Sequence, residues 1–237
     1  VTRHVVVDLD GTLLPGVLGR QFMTDLIEHG VGDAAEARAC LRAIARYTAA
    51  AGDKASRDRI MTEAYRAYAA TLNGVAEPDV RAVAAGTWQT CRRSLFAFAE
   101  ELIALFKAHD FEIHLISGNS DVPIQEAALD LGISWSRGAL SETVDGRLTD
   151  RLTCTPGLTG GKERVMRELR SVLPYDPGTA IGIGNAAPDA EVFAHTATAL
   201  AFEPDADLLA LAAHHDWQVV DRDTILPYCI RLLGRRS

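Results

Sequence analysis

The sequence predicts an α/β protein: a doubly wound, Rossmann-like parallel sheet core interrupted by an inserted all-helical cap. Three observations lead there. Short runs of apolar residues, bounded by glycine or turn clusters, recur along the chain as strands buried on both faces of a parallel sheet require. Segments with apolar residues at helical spacing separate those runs, the alternation expected of a doubly wound sheet. Between the first run and the second lies a long block of alanine, leucine and arginine at helical spacing, with no strand pattern inside it.

In chain order, His4 to Leu9 is the first run; its valines, followed by Gly11, predict a central strand. From about Gln21 to Arg93 the pattern is helical, most clearly from Ala35 to Ala50 and from Arg57 to Leu72. The core is therefore assigned to residues 1–14 and 94–237 and the cap to residues 15–93. Leu95 to His109 reads as a helix, and Phe111 to Ile116 as a strand ending at Ser117-Gly118-Asn119. Ser134 to Leu140 and Gly146 to Thr153 pair as a hairpin through the Asp145-Gly146 turn, with a helix following from Lys162 to Val172. Thr179 to Gly184, Ala197 to Phe202 and Gln218 to Val220 complete the strands, with helices at Asp189 to His195 and Asp205 to His214.

Composition narrows the function classes. A chain of 237 residues, 48% apolar and 24% charged, holds one substantial core plus a smaller unit. Its net charge is −8 and its 24 basic residues are dispersed, so no surface resembles one that tracks nucleic acid. The Arg235-Arg236 pair reads as a solvated terminus. No stretch approaches the roughly eighteen uninterrupted apolar residues of a membrane span, so no membrane partner is expected. Val1 to Asp10 is unlike a secretory leader. Cys40, Cys91, Cys154 and Cys229 are far apart and lack paired metal-ligand spacing, which fits reduced thiols in a cytoplasm. The expected partner is a small molecule, with monomer and homodimer both open.

Ligands of doubly wound sheets sit beyond the carboxyl ends of the strands. The residues found there are Asp8 and Asp10, then Ser117, then Lys162 at a helix start, then Asn185 and Asp189. Asp8 and Asp10 occupy alternate positions and point to one side as the chain leaves the sheet, so one can attack while the other handles protons. Gly11 lets the backbone turn away sharply, and Thr12 can hydrogen-bond locally. His109, His114, His195, His214 and His215 fall at no strand end with a partner and are read as core or surface residues. Trp88, Trp135 and Trp217 are read as packing residues with a polar edge.

The segment DLDGTLL, Asp8 to Leu14, resembles the signature of haloacid dehalogenase-like phosphatases, specifically the phosphoserine phosphatase-like branch. The resemblance implies that Asp8 becomes a phosphoaspartyl intermediate and that Asp10 is general acid and then base. Asp10 also argues against the dehalogenases, which lack that second acid. LISGNS, Leu115 to Ser120, looks like the family's phosphate-holding segment, with the Ser117 hydroxyl assisted by the Gly118 amide. Lys162 in GGKERV, Gly160 to Val165, resembles the family's lysine that screens the nucleophile from phosphate charge.

GNAAPDAEVF, Gly184 to Phe193, resembles the last motif with one departure: Asn185 stands where a metal-binding aspartate is usual. Magnesium prefers oxygen ligands, so the resemblance implies Mg²⁺ held by Asp8, the backbone carbonyl of Asp10 and the Asn185 amide oxygen, with less charge than usual. Asp189 would then orient a metal-bound water or Lys162. Another register puts Gly182-Ile183 at the metal position, where no ligand side chain exists; Asn185 is preferred.

VDGRLTDRLT, Val144 to Thr153, and AFEPDADLLALAAHHDW, Ala201 to Trp217, extend the likeness, with Glu203 where many relatives carry asparagine. Phosphoserine-specific relatives place a glutamate early in the cap. Pro15 to Gln21 offers none and carries Arg20 instead, so an anionic or polyhydroxylated substrate is expected there. Arg42, Arg46, Arg57 and Arg59 are further cap candidates for substrate contact, though on alanine-rich helices such residues usually form a solvated face. The expected function is magnesium-dependent hydrolysis of a small-molecule phosphate monoester. Phosphotransfer to an alcohol through the same intermediate, and a catalytically silent protein that binds a phosphorylated partner, are the alternatives.

Overall fold

A computed structural model describes residues 2–49 and 54–234. Val1, residues 50–53 (with Ala50 of the expected second helix) and the Arg235-Arg236 pair lie outside them. The chain begins with β1 (Arg3–Val7) and four helices, α1 (Leu18–Glu28), α2 (Ala34–Ala49), α3 (Lys54–Leu72) and α4 (Glu77–Cys91). There follow α5 (Ala99–Ala108), β2 (Phe111–Ser120), α6 (Asp121–Asp130), the pair β3 (Trp135–Val144) and β4 (Arg147–Cys154), and α7 (Gly161–Val172). The rest comprises β5 (Ile181–Gly184), α8 (Ala190–Phe193), β6 (Thr198–Phe202), α9 (Ala206–His215), β7 (Gln218–Val220) and α10 (Ile225–Gly234).

The strands form one seven-stranded sheet in the order β4-β3-β2-β1-β5-β6-β7. Every pairing is parallel except β3 with β4. That hairpin turns through Asp145 and Gly146, at φ 49° and 74°, the two left-handed positions that a tight turn between twisted strands needs. β1 explains the arrangement on its own. Val5 and Val7 enter an apolar cluster with α5, α6 and α10, while Val6, pointing the other way, enters a cluster with α7, α8 and α9. A strand apolar on both faces fits only between two helical layers. It also lies between β2 and β5, where the strand order reverses and a crevice opens at the carboxyl ends.

The four helices between β1 and α5 have a separate apolar cluster, built on Phe22, Leu26, Cys40, Tyr68, Leu72 and Val80. It reaches the rest of the chain through Val122 of α6 and Leu148 of β4. The block also leaves and rejoins the core at one place, because the Phe96 amide donates to the Leu13 carbonyl at 2.9 Å.

Several boundaries differ from the sequence expectation. The helix expected from Leu95 starts at Ala99, since the Phe96 bond to Leu13 holds residues 95–98 out of helical register. The strand expected to end at Ile116 runs to Ser120, with a bulge: pairing with β3 passes from Ile116↔Arg137 directly to Ser120↔Ala139. The helix expected from Asp189 to His195 shrinks to a 3₁₀ turn at Ala187–Asp189 and the single turn of α8. The terminal helix α10 was not anticipated, although Ile225, Cys229 and Leu233 recur at helical spacing and bury against the first cluster. No described helix is long and apolar enough to cross a membrane.

His114, read as a core or surface residue, lies in the core, where it shares a hydrogen bond of 2.9 Å with His4, and both rings are fully buried. Burial, with His4 as a second cause, pushes the His114 pKa down to about 3. An unfolded imidazole protonates near pH ~6.5, so the neutral ring contributes stability above that pH and loses it as the pH falls towards the folded value. Thermal melts should therefore show a transition temperature that falls from about pH 6.5 to about pH 4. The fall should be shallower in His114→Phe; equal slopes for the two proteins would refute this account.

Candidate active site

Three strand ends and one helix start meet at a buried cluster of charge. Asp8 follows β1, and its amide donates to the Ile183 carbonyl of β5 at 3.0 Å. Lys162, in the first turn of α7, places its Nζ 2.9 Å from Asp8 Oδ1, 2.5 Å from Asp189 Oδ1 and 3.3 Å from the Ile116 carbonyl of β2. Asp8, Lys162 and Asp189 are only 7%, 4% and 2% exposed. A cation at a helix amino terminus opposes the helix dipole. Glu191 offsets that, its carboxylate accepting from the Gly160 and Glu163 amides at 2.7 and 3.1 Å.

Burial pushes the Asp8 pKa up to about 7 against the pull of Lys162. Burial also works against the Lys162 charge, but Asp189 and Asp8 outweigh it and hold the ammonium above its ordinary range. Asp10 stands beside this pair. Its Oδ2 accepts from the Asn119 side-chain amide and its Oδ1 from the Leu18 amide at 3.4 Å. Burial raises its pKa too, which favours the proton-carrying form.

Ser117 and Gly118 lie in the bulge of β2. The Ser117 hydroxyl is 1% exposed and accepts from the Asn119 amide at 3.3 Å. The Gly118 carbonyl accepts from the Tyr65 hydroxyl of α3 at 2.7 Å, and that hydroxyl accepts from the Gly157 amide, also at 2.7 Å. Asp8, Asp10, Ser117, Gly118, Lys162, Asn185 and Asp189 all line one cavity of about 510 Å³ whose opposite wall is α1, α2 and α3. Arg20 lines it as well, as an exposed residue whose Nη2 lies 3.4 Å from the Gly16 carbonyl.

Asn185 is set against the loop after β1. Gly11 has φ +89°, and a Cβ there would fall 2.2 Å from Asn185 Nδ2, so only glycine admits the amide. The Thr12 hydroxyl lies 3.4 Å from Asp8 Oδ2 and 3.3 Å from Asn185 Oδ1, so these two oxygens flank one small volume. Both are oxygen donors of the type a hard divalent cation takes. The ion pairing agrees: Lys162 meets Asp8 and Asp189, so one ammonium serves two carboxylates, and Asp10 is held by the Asn119 and Leu18 amides alone. Asp189 is otherwise engaged, since its Oδ2 accepts from the Asn185 and Ala186 amides at 2.9 and 3.0 Å. The other group of metal-ligand side chains, His4, Glu112 and His114, sits at the amino-terminal end of β1 and β2, away from this cavity.

The structure thus brings Asp8, Asp10, Ser117, Gly118, Lys162, Asn185 and Asp189 together and leaves Arg20 towards the solvent. Sequence reasoning missed three contributors and set a fourth aside. Asn119 was visible only as part of a turn, yet it directs Asp10. Tyr65 and Glu191 carry no local signal, because their partners lie 53 and 31 residues away. Arg57, read as solvated, reaches Asp207 and Asp205 at 3.2 and 3.5 Å.

The family described as haloacid dehalogenase-like hydrolase matches residues 5–194. A phosphoserine phosphatase of Streptomyces coelicolor is 27% identical over 128 residues, 54% of this chain; the match spans only 31% of that relative's length. A protein of unknown function from Bordetella pertussis Tohama I superposes with a TM-score of 0.75 at 22% identity, covering 93% of this chain and 99% of that one. A substrate-bound phosphoserine phosphatase superposes at 0.66 with 16% identity, over 96% and 97% of the two chains. Cytosolic 5'-nucleotidase IIIB bound to cytidine superposes at 0.69 with 13% identity, over 99% and 86%. At these identities the structural likenesses establish a common fold.

Gly184 gives a direct test of how tightly the cluster is held. A Cβ at Gly184 would lie 2.2 Å from Asp189 Cγ, so Gly184→Ala must displace the carboxylate that holds Lys162. Overpacking of this kind costs about 1–3 kcal/mol. Urea unfolding should show a loss of that size, and an unchanged midpoint would contradict the packing.

Proposed function

The chain belongs to the haloacid dehalogenase-like hydrolase family, and on that premise we propose that it is a magnesium-dependent phosphatase of small-molecule phosphate monoesters. The observation that carries this reading is the Lys162 ammonium held between Asp8 and Asp189 on the floor of a cavity that Asp10 and the Ser117-Gly118 bulge also line. Such a floor supplies a nucleophile, a proton donor and fixed positive charge around one phosphoryl group.

Asp8 attacks phosphorus; the new bond joins its carboxylate oxygen to phosphorus while the ester oxygen departs with the bonding pair. Asp10, whose burial favours its proton, gives that proton to the leaving oxygen, guided by Asn119. Water then attacks the phosphoaspartyl group. Asp10 takes the water's proton, phosphate leaves and Asp8 is restored. Lys162 neutralises the nucleophile's charge as the anionic phosphate approaches, and the Ser117 hydroxyl and Gly118 amide hold phosphate oxygens. A magnesium ion on Asp8, the Asp10 carbonyl and Asn185 would add electrostatic stabilisation of the phosphoryl oxygens. Asp189 serves as the support of Lys162 and of the loop carrying Asn185. Residues 15–93 act as a cap domain over the core of residues 1–14 and 94–237. The four free cysteines fit a reducing, cytoplasmic setting.

A second reading, a protein that binds a phosphorylated ligand without turnover, is favoured by Asn185 alone, where an acid would hold the cation more tightly. The two readings are separated by phosphate release from p-nitrophenyl phosphate in the presence of Mg²⁺. Release should occur and should fall by at least about 10³-fold in Asp8→Asn, since the nucleophile itself is lost. A folded protein inert at every magnesium concentration would support the binding role instead. Asn185→Asp adds one negative charge among the metal oxygens, and the half-saturating Mg²⁺ concentration should fall by about tenfold or more. An unchanged or higher value would remove Asn185 from the metal site.

A further inference from the structure

The cavity wall above the reacting groups differs sharply from its floor. Among the described residues, the carboxylates that line the cavity are Asp8, Asp10 and Asp189, all on the core side. The helical side presents Phe22, Met23, Ile44, Tyr47, Met61 and Tyr65. An ammonium on the departing alcohol would therefore meet no counter-charge there, and desolvating it unpaired is costly.

Most polar atoms of that wall are already engaged within the protein; among the described residues the Arg57 Nε is the exception, buried and without a partner. The Tyr65 hydroxyl both donates to Gly118 and accepts from Gly157. The Tyr68 hydroxyl pairs with Ser120 Oγ at 2.5 Å, and the Thr48 hydroxyl donates to the Ile44 carbonyl at 3.0 Å. Arg57 faces Asp205 and Asp207, which offset its charge, and its guanidinium lies 5.9 Å from the Tyr47 ring centroid. Arg20 also lines the cavity, as an exposed residue whose Nη2 lies 3.4 Å from the Gly16 carbonyl. A polyol entering this space would surrender its water and find few groups free to replace it.

We propose that the leaving group is an uncharged, largely apolar alcohol bearing an aromatic ring, so that the substrate is a hydrophobic phosphate monoester. This rests on the phosphatase reading and specifies the substrate class for the same site. It replaces the anionic or polyhydroxylated substrate expected from Arg20. The wall binds the apolar part by excluding water from Ile44, Tyr47 and Met61, which are partly exposed, and the floor binds the phosphoryl group. Selectivity arises because charged or hydroxylated leaving groups lose hydration that this wall does not return. The volume of about 510 Å³ leaves room for a ring beyond the phosphoryl group.

The test compares kcat/KM for esters of primary alcohols, so that leaving-group chemistry does not dominate the result. Benzyl and 3-phenylpropyl phosphate should exceed O-phosphoserine, ethanolamine phosphate, glycerol 3-phosphate and glucose 6-phosphate by about 100-fold. Equal or better turnover of any of these four polar esters overturns the inference, while turnover of p-nitrophenyl phosphate that is lost in Asp8→Asn leaves the phosphatase reading standing. Absence of all turnover by the folded protein overturns both. Met61→Glu places a carboxylate in the wall and should shift the ethanolamine phosphate to benzyl phosphate ratio at least about tenfold towards the amine. A ratio unmoved in the folded variant shows that this wall does not meet the leaving group and also overturns the inference.

Discussion

One buried ammonium group fixes the geometry on which the site depends. Lys162 joins the exit of β1 through Asp8, the end of β2 through the Ile116 carbonyl, and the loop after β5 through Asp189, while itself belonging to α7. The two carboxylate contacts are short, and the groups that make them are nearly closed to solvent. Breaking a buried pair by removing one partner costs about 3–5 kcal/mol, because the surviving charge is left without water or a counter-ion. The neighbouring groups are arranged to make this charge tolerable: Glu191 occupies the amides at the start of α7, and Asp189 divides its two oxygens between the ammonium and two backbone amides. The floor is thus held rigid before any ligand arrives, which is the condition for electrostatic stabilisation without reorganisation.

The cavity also needs its second wall, and α3 supplies the attachment. Tyr65 reaches the Gly118 carbonyl and the Gly157 amide, Tyr68 reaches Ser120, Asp58 accepts from the Thr159 amide at 3.2 Å, and Arg57 reaches Asp207. These contacts span one face of a single helix. They engage most of the polar atoms nearest the cavity in holding the two layers together, and what remains facing the space is mainly apolar. The character of the wall follows from how it is attached.

Much of this was legible in the sequence because the signals were local. Valines on both faces of one short strand identify β1 as central, and the reacting groups follow from the rule that ligands sit beyond strand ends. Asp8, Asp10, Ser117, Lys162, Asn185 and Asp189 were all placed by that rule and by the motif resemblance, and all line one cavity. What escaped depends on contacts made across long separations. Tyr65 looks like any aromatic residue in an alanine-rich helix until the fold brings Gly118 and Gly157 to it. Arg57 looks solvated until α9 is seen to start with acids. The bulge in β2 was invisible for a different reason: Ser-Gly-Asn is a turn signature, and the strand resumes only because Ser120 pairs again with β3.

The bond between the Phe96 amide and the Leu13 carbonyl has a wider implication. The helical segment departs and returns through neighbouring points, so residues can be added to it without pulling its two anchors apart. Closing a long excursion between adjacent anchors becomes only slowly more expensive as residues are added. A segment grafted at that gateway can therefore differ in length, provided it keeps the contacts that Tyr65 and Tyr68 make with Gly118, Gly157 and Ser120.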